Sequence, residues 1–299
     1  MSWILLALLG AVATSLTTIF AKIGIKDVKS NFATAYRTGV VLICCVISCV
    51  ASGSIKNIGS LSLYNWIFLL LSGLSTGLSW LCYYKALKLG SVNQVVPIDK
   101  SSFVLTSILF FIFFFDDTTN GGNVVTIIAL FSSIFLMLSG TLLMITEKKG
   151  EEKSKNKIWL LYAILSAVFA SFVSLFVKIG LKGISSDLGT LLRTIVVFIF
   201  AAAVAGGKGE YEGVKDISKK SWVFLTLSGV CTGAAWLLEY YALNFVGSNP
   251  VAVNSIGKLS VLLTMAFSYF ILKEKFNKKS IIGLLTLTLG IIVIIIFSL

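Results

Sequence analysis

Asp99 and Lys100 stand side by side in PIDKSS (97–102), and the thirteen residues that follow, FVLTSILFFIFFF, carry no charge. In a hydrocarbon core an ionised side chain costs at least a few kcal/mol even on lenient insertion scales. Such groups therefore persist where they pair, line a cavity or relay protons. A second lysine, Lys258 in SIGKLS (255–260), sits in a like setting, and Ser102 and Ser260 follow the two lysines at the same distance. Two ammoniums with neighbouring hydroxyls in an apolar surround are suited to holding an anionic group. The other acid inside an apolar run is Glu239 of WLLEYYAL (236–243), one turn from the end of its run, where it reads equally as a side chain snorkelling to the interface. Proton coupling through a carboxylate has Asp99 and Glu239 as its candidates.

Asp99 and Lys100 lie about eight residues into their segment, about 12 Å deep at 1.5 Å per residue. Two readings stay open for them: a brace that satisfies its own charges, or a polar site. Pro97 leans toward the second, because it frees a carbonyl about one turn earlier, and broken backbone at depth is tolerated beside a cavity. Trp80/Tyr84 and Trp236/Tyr240 each stand four apart on one helical face, as walls of a cavity or, for the tyrosines, as interface anchors. Arg37 and Arg193, about five residues into their segments, read as snorkelling side chains. Gly73/Gly77 and Gly229/Gly233 read as surfaces for close helix contact.

The elements that must position these residues are membrane spans. Of 299 residues 57% are hydrophobic and 13% charged, where a soluble domain would carry roughly a quarter charged; mean hydropathy is +0.96. Apolar runs suited to a core of about 30 Å fall at 3–21, 33–52, 64–87, 92–115, 122–145, 158–177, 188–206, 221–243, 249–272 and 279–298. The fold class is an all-α polytopic membrane protein with ten transmembrane helices. MSWILLALLGAVATSLTTIF lacks a basic n-region and a cleavage site and reads as a retained first span. The net charge of +12 resides mostly in short loops, where it sets topology and meets anionic lipid rather than nucleic acid. Cys44, Cys45, Cys49, Cys82 and Cys231 lie in apolar runs without metal-ligand spacing, and histidine is absent. Neither a metal nor a cofactor is expected.

The chain repeats itself. Residues 3–41 align without gaps to 159–197 with 18 identities in 39, and 66–87 to 222–243 with 13 in 22; a two-residue insertion then pairs Lys100 with Lys258. Hydrophobicity alone does not keep Trp, Gly, Lys and Arg in register, so this is a duplication: a first repeat at 1–145, a linker loop at 146–157 and a second repeat at 158–299. Five spans per copy invert one copy against the other, with a solute site expected near the midplane between them. Alternate loops, counted with Lys85 and Lys279 at their span ends, carry 18 Lys/Arg against 3, which places both termini outside and the linker in the cytoplasm.

GLSTGLSWLCYYKALKLG with PIDKSSFVLT in the first copy, and GVCTGAAWLLEYYAL with GKLSVLLTMAFSYFILKEK in the second, resemble tandem EamA-domain proteins of the drug/metabolite transporter superfamily. The resemblance covers nearly the whole chain and implies an inner-membrane secondary transporter with ten helices and a central cavity. Three departures stand out. The family's leucine-glycine-glutamate turn after the fourth span is here FFDD (114–117) and, in the second copy, LKEK (272–275). Small relatives place a coupling glutamate in the first helix, where this chain has no acid. Known tandem members keep both termini in the cytoplasm, opposite to the loop charges. The expected function is transport of a small anionic or zwitterionic metabolite across the cytoplasmic membrane by a monomer or homodimer. Alternatives are proton-driven export of cationic or amphipathic drug-like compounds, or a passive channel. An enzyme is disfavoured, since HExxH and acid-rich pairs are missing and DDTTN (116–120) stands alone. A scaffold that binds no metabolite is the remaining rival.

Overall fold

The computed structural model describes residues 3–119, 121–144, 158–273 and 277–298. The linker 146–157 and part of the LKEK turn lie outside them. Among the described residues ten helical spans are long and apolar enough to cross a membrane. In the first repeat they are α1 (Trp3–Gly24), α2 (Ser30–Ala51), α3 (Leu63–Leu89), a fourth span made of α4 (Val92–Lys100) and α5 (Ser102–Phe113), and, after the short α6 (Phe115–Thr119), α7 (Val124–Met144). In the second they are α8 (Ile158–Gly180), α9 (Ser186–Gly207), α10 (Lys219–Asn244), a ninth span made of α11 (Pro250–Lys258) and α12 (Ser260–Ile271), and α13 (Lys278–Ser298).

Local chemistry sets these ends. Ser62 and Asn65 form a reciprocal capping box at the start of α3, Ser218 caps α10, and Asn249 caps α11 with Pro250 in its first turn. No side chain of its own caps α2. Its first amides are instead met by Glu210 from the α9–α10 connection, which accepts from Asn31 N at 2.9 Å and Phe32 N at 3.1 Å.

Leu8, Ile43, Ile47, Phe135 and Leu285 point outward, while Ser72, Thr76, Ser166, Thr190 and Ser228 are fully buried. Apolar groups face lipid and hydroxyls face inward. Buried threonines satisfy themselves on the preceding turn, as Thr76 does on Ser72 O at 2.8 Å and Thr190 on Ser186 O at 2.6 Å.

The repeats interlock rather than sit side by side. The main seams run α1 along α10, α3 along α8, α2 against α9 and α7 along α13, each joining one copy to the other. The expected glycine contacts make two further seams close. A Cβ on Gly73 would stand 2.7 Å from Val196 Cβ and 2.9 Å from Arg193 O; on Gly229 it would stand 2.7 Å from Val40 Cβ and 3.0 Å from Arg37 O. Matched glycines thus let α3 approach α9 and α10 approach α2. At the α7–α13 seam a Cβ on Gly140 would meet Gly283 O at 2.6 Å.

Both broken spans break at matched residues, Ser101 and Leu259, which follow the two lysines. There the ladder gains three-residue bonds: Ser101 N is shared between Pro97 O at 2.9 Å and Ile98 O at 3.1 Å, and Leu259 N bonds Ile256 O at 2.9 Å. Pro97 is not the common cause, because Ser255 stands in its place in the second copy. A mid-helix three-residue turn marks a hinge or a site under functional constraint.

Candidate functional site

Midway along the bundle a cavity of about 160 Å³ is lined from both repeats. The lining includes Asp99 and Lys100 at the end of α4, Ser102 at the start of α5 and Lys258 at the end of α11. Trp80 and Tyr84 contribute from α3, and Trp236 and Glu239 from α10. The two lysines thus converge, each in the last turn of a half-helix, where free carbonyls favour a cation.

Their surroundings differ. Lys100 Nζ lies 3.8 Å from Asp99 Oδ2, with 19% and 14% of the two side chains exposed. Asp99 also accepts from Ser166 Oγ of α8 at 2.7 Å, and Ser79 of α3 reaches Ser166 O at 3.1 Å. At the repeat-related position the counterparts of Ser79, Ser166 and Asp99 are Ala235, Gly10 and Gly257. Lys258 Nζ reaches Ser102 Oγ at 3.5 Å, and among the described residues no carboxylate lies within ion-pair distance of it. A side chamber of about 50 Å³ touches Lys100, Lys258, Glu239, Thr14 and Asn254. Glu239, opposite its repeat counterpart Tyr83, faces this space rather than the interface.

Two candidates are not brought in. Ser260 is fully buried, and its hydroxyl has no partner among the described residues; it is absent from the lining of both chambers. Tyr240 is likewise absent and lies beneath Arg193, which donates to its hydroxyl. Neither Tyr84 nor Tyr240 is an interface anchor, at 2% and 4% exposure.

The snorkelling expected of the arginines is overturned: Arg37 and Arg193 are both fully buried. Hydroxyls and rings stand in for water. Arg37 donates to Ser228 and Thr232, each at 2.9 Å, and its guanidinium lies 4.4 Å from the Tyr84 ring centre. Arg193 donates to Ser72 at 3.1 Å and to Thr76, and lies 4.3 Å from the Trp236 ring centre. Trp80 and Trp236 meet at 4.9 Å. A column Tyr84–Arg37–Trp80–Trp236–Arg193–Tyr240 therefore backs the cavity, each cation held over ring faces.

Another expectation is corrected. Asp99 and Glu239 are not the only acids within spans, because α9 begins early enough to include Asp187. It is 2% exposed and accepts from Ser48 and Tyr241, each at 2.5 Å. Sequence reasoning also missed Thr14, Thr17 and Thr18, which line the cavity from α1. Their i, i+3, i+4 spacing in TSLTT was the available signal. Nothing in the sequence marked Ser166.

Ten apolar helices in two interlocked copies, closed around a charged mid-span cavity, define a multi-pass membrane transporter. The chain belongs to the EamA-like transporter family, whose model matches residues 1–139 and again 157–296. It is 34% identical over 142 residues to a Sinorhizobium protein described as an uncharacterized transporter in the cobO 3'region. That stretch is 48% of this chain and 99% of the relative. A crystal structure described only as that of a protein shares the fold with a TM-score of 0.71, over 98% of this chain and 96% of its own, at 13% identity.

Proposed function

We propose that the protein is a secondary transporter rather than an enzyme, and that it moves a small anionic or zwitterionic metabolite across the cytoplasmic membrane by alternating access. Both termini lie outside in this reading, and the working unit is a monomer or homodimer. The observation that carries it is the unmatched ammonium of Lys258 facing a cavity beside the Lys100–Asp99 pair. An anionic group there offsets the desolvation of a cation that no protein acid neutralises. A volume of about 160 Å³ suits a small solute. The test is a thermal-shift panel of small acids, zwitterions and amines on the purified protein. Stabilisation by acids or zwitterions supports the reading.

A second reading, export of cationic amphipathic compounds, is favoured by Glu239, whose carboxylate has no hydrogen bond among the described residues, and by the facing Trp80 and Trp236. Stabilisation by amines alone would select it.

Proton coupling, in either reading, runs through Asp99 or Glu239, the acids that face the cavity. Asp99→Asn or Glu239→Gln should abolish pH-driven uptake while downhill exchange survives. Asp187→Asn, whose carboxylate is absent from the cavity lining, serves as the control. Uptake that still responds to pH in both cavity variants removes carboxylate coupling.

A further inference from the structure

The seams sort the spans around the cavity into two groups. One holds α1 and α10 with α11 and α12 against α1; the other holds α3 and α8 with α4 and α5 against α8. Each group draws on both repeats, and the cavity receives side chains from both groups. Two matched lysines bridge the groups at opposite ends. Lys22, in the last turn of α1, donates to Leu87 O at 2.7 Å and Gly90 O at 2.8 Å, at the end of α3. Its counterpart Lys178, in the last turn of α8, reaches the matching Leu243 O of α10 at 3.4 Å.

A second matched pair does not share the difference. Lys88 Nζ meets Val28 O at 3.0 Å and Asn244 Nδ2 meets Ile184 O at 3.1 Å. The asymmetry therefore resides in Lys22 and Lys178. It coincides with a cavity of about 480 Å³ at the Lys178 end, lined by Lys178, Lys182, Tyr64, Phe113, Asp117 and Leu243.

We infer that Lys22 and Lys178 are reciprocal gate residues: in each end state one grips the carbonyls that end the opposing group's helix, and the other lets go. The carbonyls of a helix's last turn have no intrahelical partners and sit at the negative end of its dipole, so an ammonium seals them well. The structure is the state in which the Lys22 end is shut and the Lys178 end is open. Closing the second end requires Lys178 to draw in toward Leu243 O as Lys22 does toward Leu87 O. Rocking of the two groups about the cavity then exchanges one grip for the other. The inference rests on the transport reading, but its test needs no solute, so either can fail without the other.

The measurement is hydrogen exchange on the full-length protein, comparing segments 22–30 and 88–93 at one end with 178–186 and 243–249 at the other. Lys22→Met should raise exchange at its own end at least about tenfold, since it removes the two bonds that favour the major state, while the far end, already open in that state, changes little. Lys178→Met should slow exchange at the Lys22 end about tenfold, because the minor state that exposes that end loses its seal. The Lys178 variant decides the matter alone if Lys22→Met does not fold, since it removes a single long contact. Loosening of only its own end in Lys178→Met, with no slowing at the Lys22 end, would mean that these lysines are static helix caps and would overturn the inference.

Discussion

Lys258→Met should bind the transported solute roughly ten- to a hundredfold more weakly and melt no lower than the parent when empty. The affinity loss follows from removing the ammonium that meets the solute's anionic group, an interaction of about 1.5–3 kcal/mol. The unchanged or raised melting temperature follows from deleting a half-buried cation whose bond is the 3.5 Å approach to Ser102, since methionine fills similar space without desolvation cost. Lys100→Met should behave oppositely. It strips Asp99 of its cation and leaves the Ser166 hydroxyl as the carboxylate's hydrogen-bond donor, so the empty protein should lose about 1–3 kcal/mol. Binding isotherms and melting curves on both variants separate the roles. Equal affinity in the parent and Lys258→Met would reduce this lysine to a brace between helices.

The other large effect is steric. Gly140→Ala should lower the melting temperature by roughly 5–10 °C, corresponding to about 3 kcal/mol or more of overpacking. The new methyl group would stand 2.6 Å from both Gly283 O and Leu287 N. These are backbone atoms of α13, which cannot swing aside as a flexible side chain can, so the two helices must separate along their seam. Gly283→Ala should match it, its Cβ falling 2.5 Å from Gly140 O. Gly59→Ala, with nothing within 4 Å of the added carbon, should melt with the parent. A Gly140→Ala protein of unaltered stability would show that the α7–α13 seam has slack.

Sequence reading reached the spans to within a few residues, because about 20 apolar residues between charged loops are hard to place any other way. It also brought Lys100 and Lys258 toward one place, since the duplication supplied a symmetry that relates residues 158 apart in number. Depth was legible, but direction around a helix was not. Arg37 and Arg193 sit near enough to a span end to reach water, yet both turn inward onto Trp80, Tyr84, Trp236 and Tyr240. Their face is decided by which helix lies alongside. The Ser79–Ser166–Asp99 connection was invisible for the same reason: it joins α3, α8 and α4, and Ser166 has no partner in its own helix that would give it away. Asp187 was lost to an element boundary two residues off.

The interlocked seams bear on how the chain is made. Once residue 145 has left the ribosome, five spans exist, and the partners of four of their main faces have not been synthesised. α1 waits for α10, α3 for α8, α2 for α9 and α7 for α13. During that interval Thr14, Thr17, Thr18, Ser79 and Lys100, all bound for the cavity, have only lipid, the insertion machinery or one another for company. Domains usually settle in order of synthesis. Here pairing is deferred to the second copy, so a premature stop before α10 leaves not a smaller transporter but an intermediate with part of its polar interior turned toward lipid.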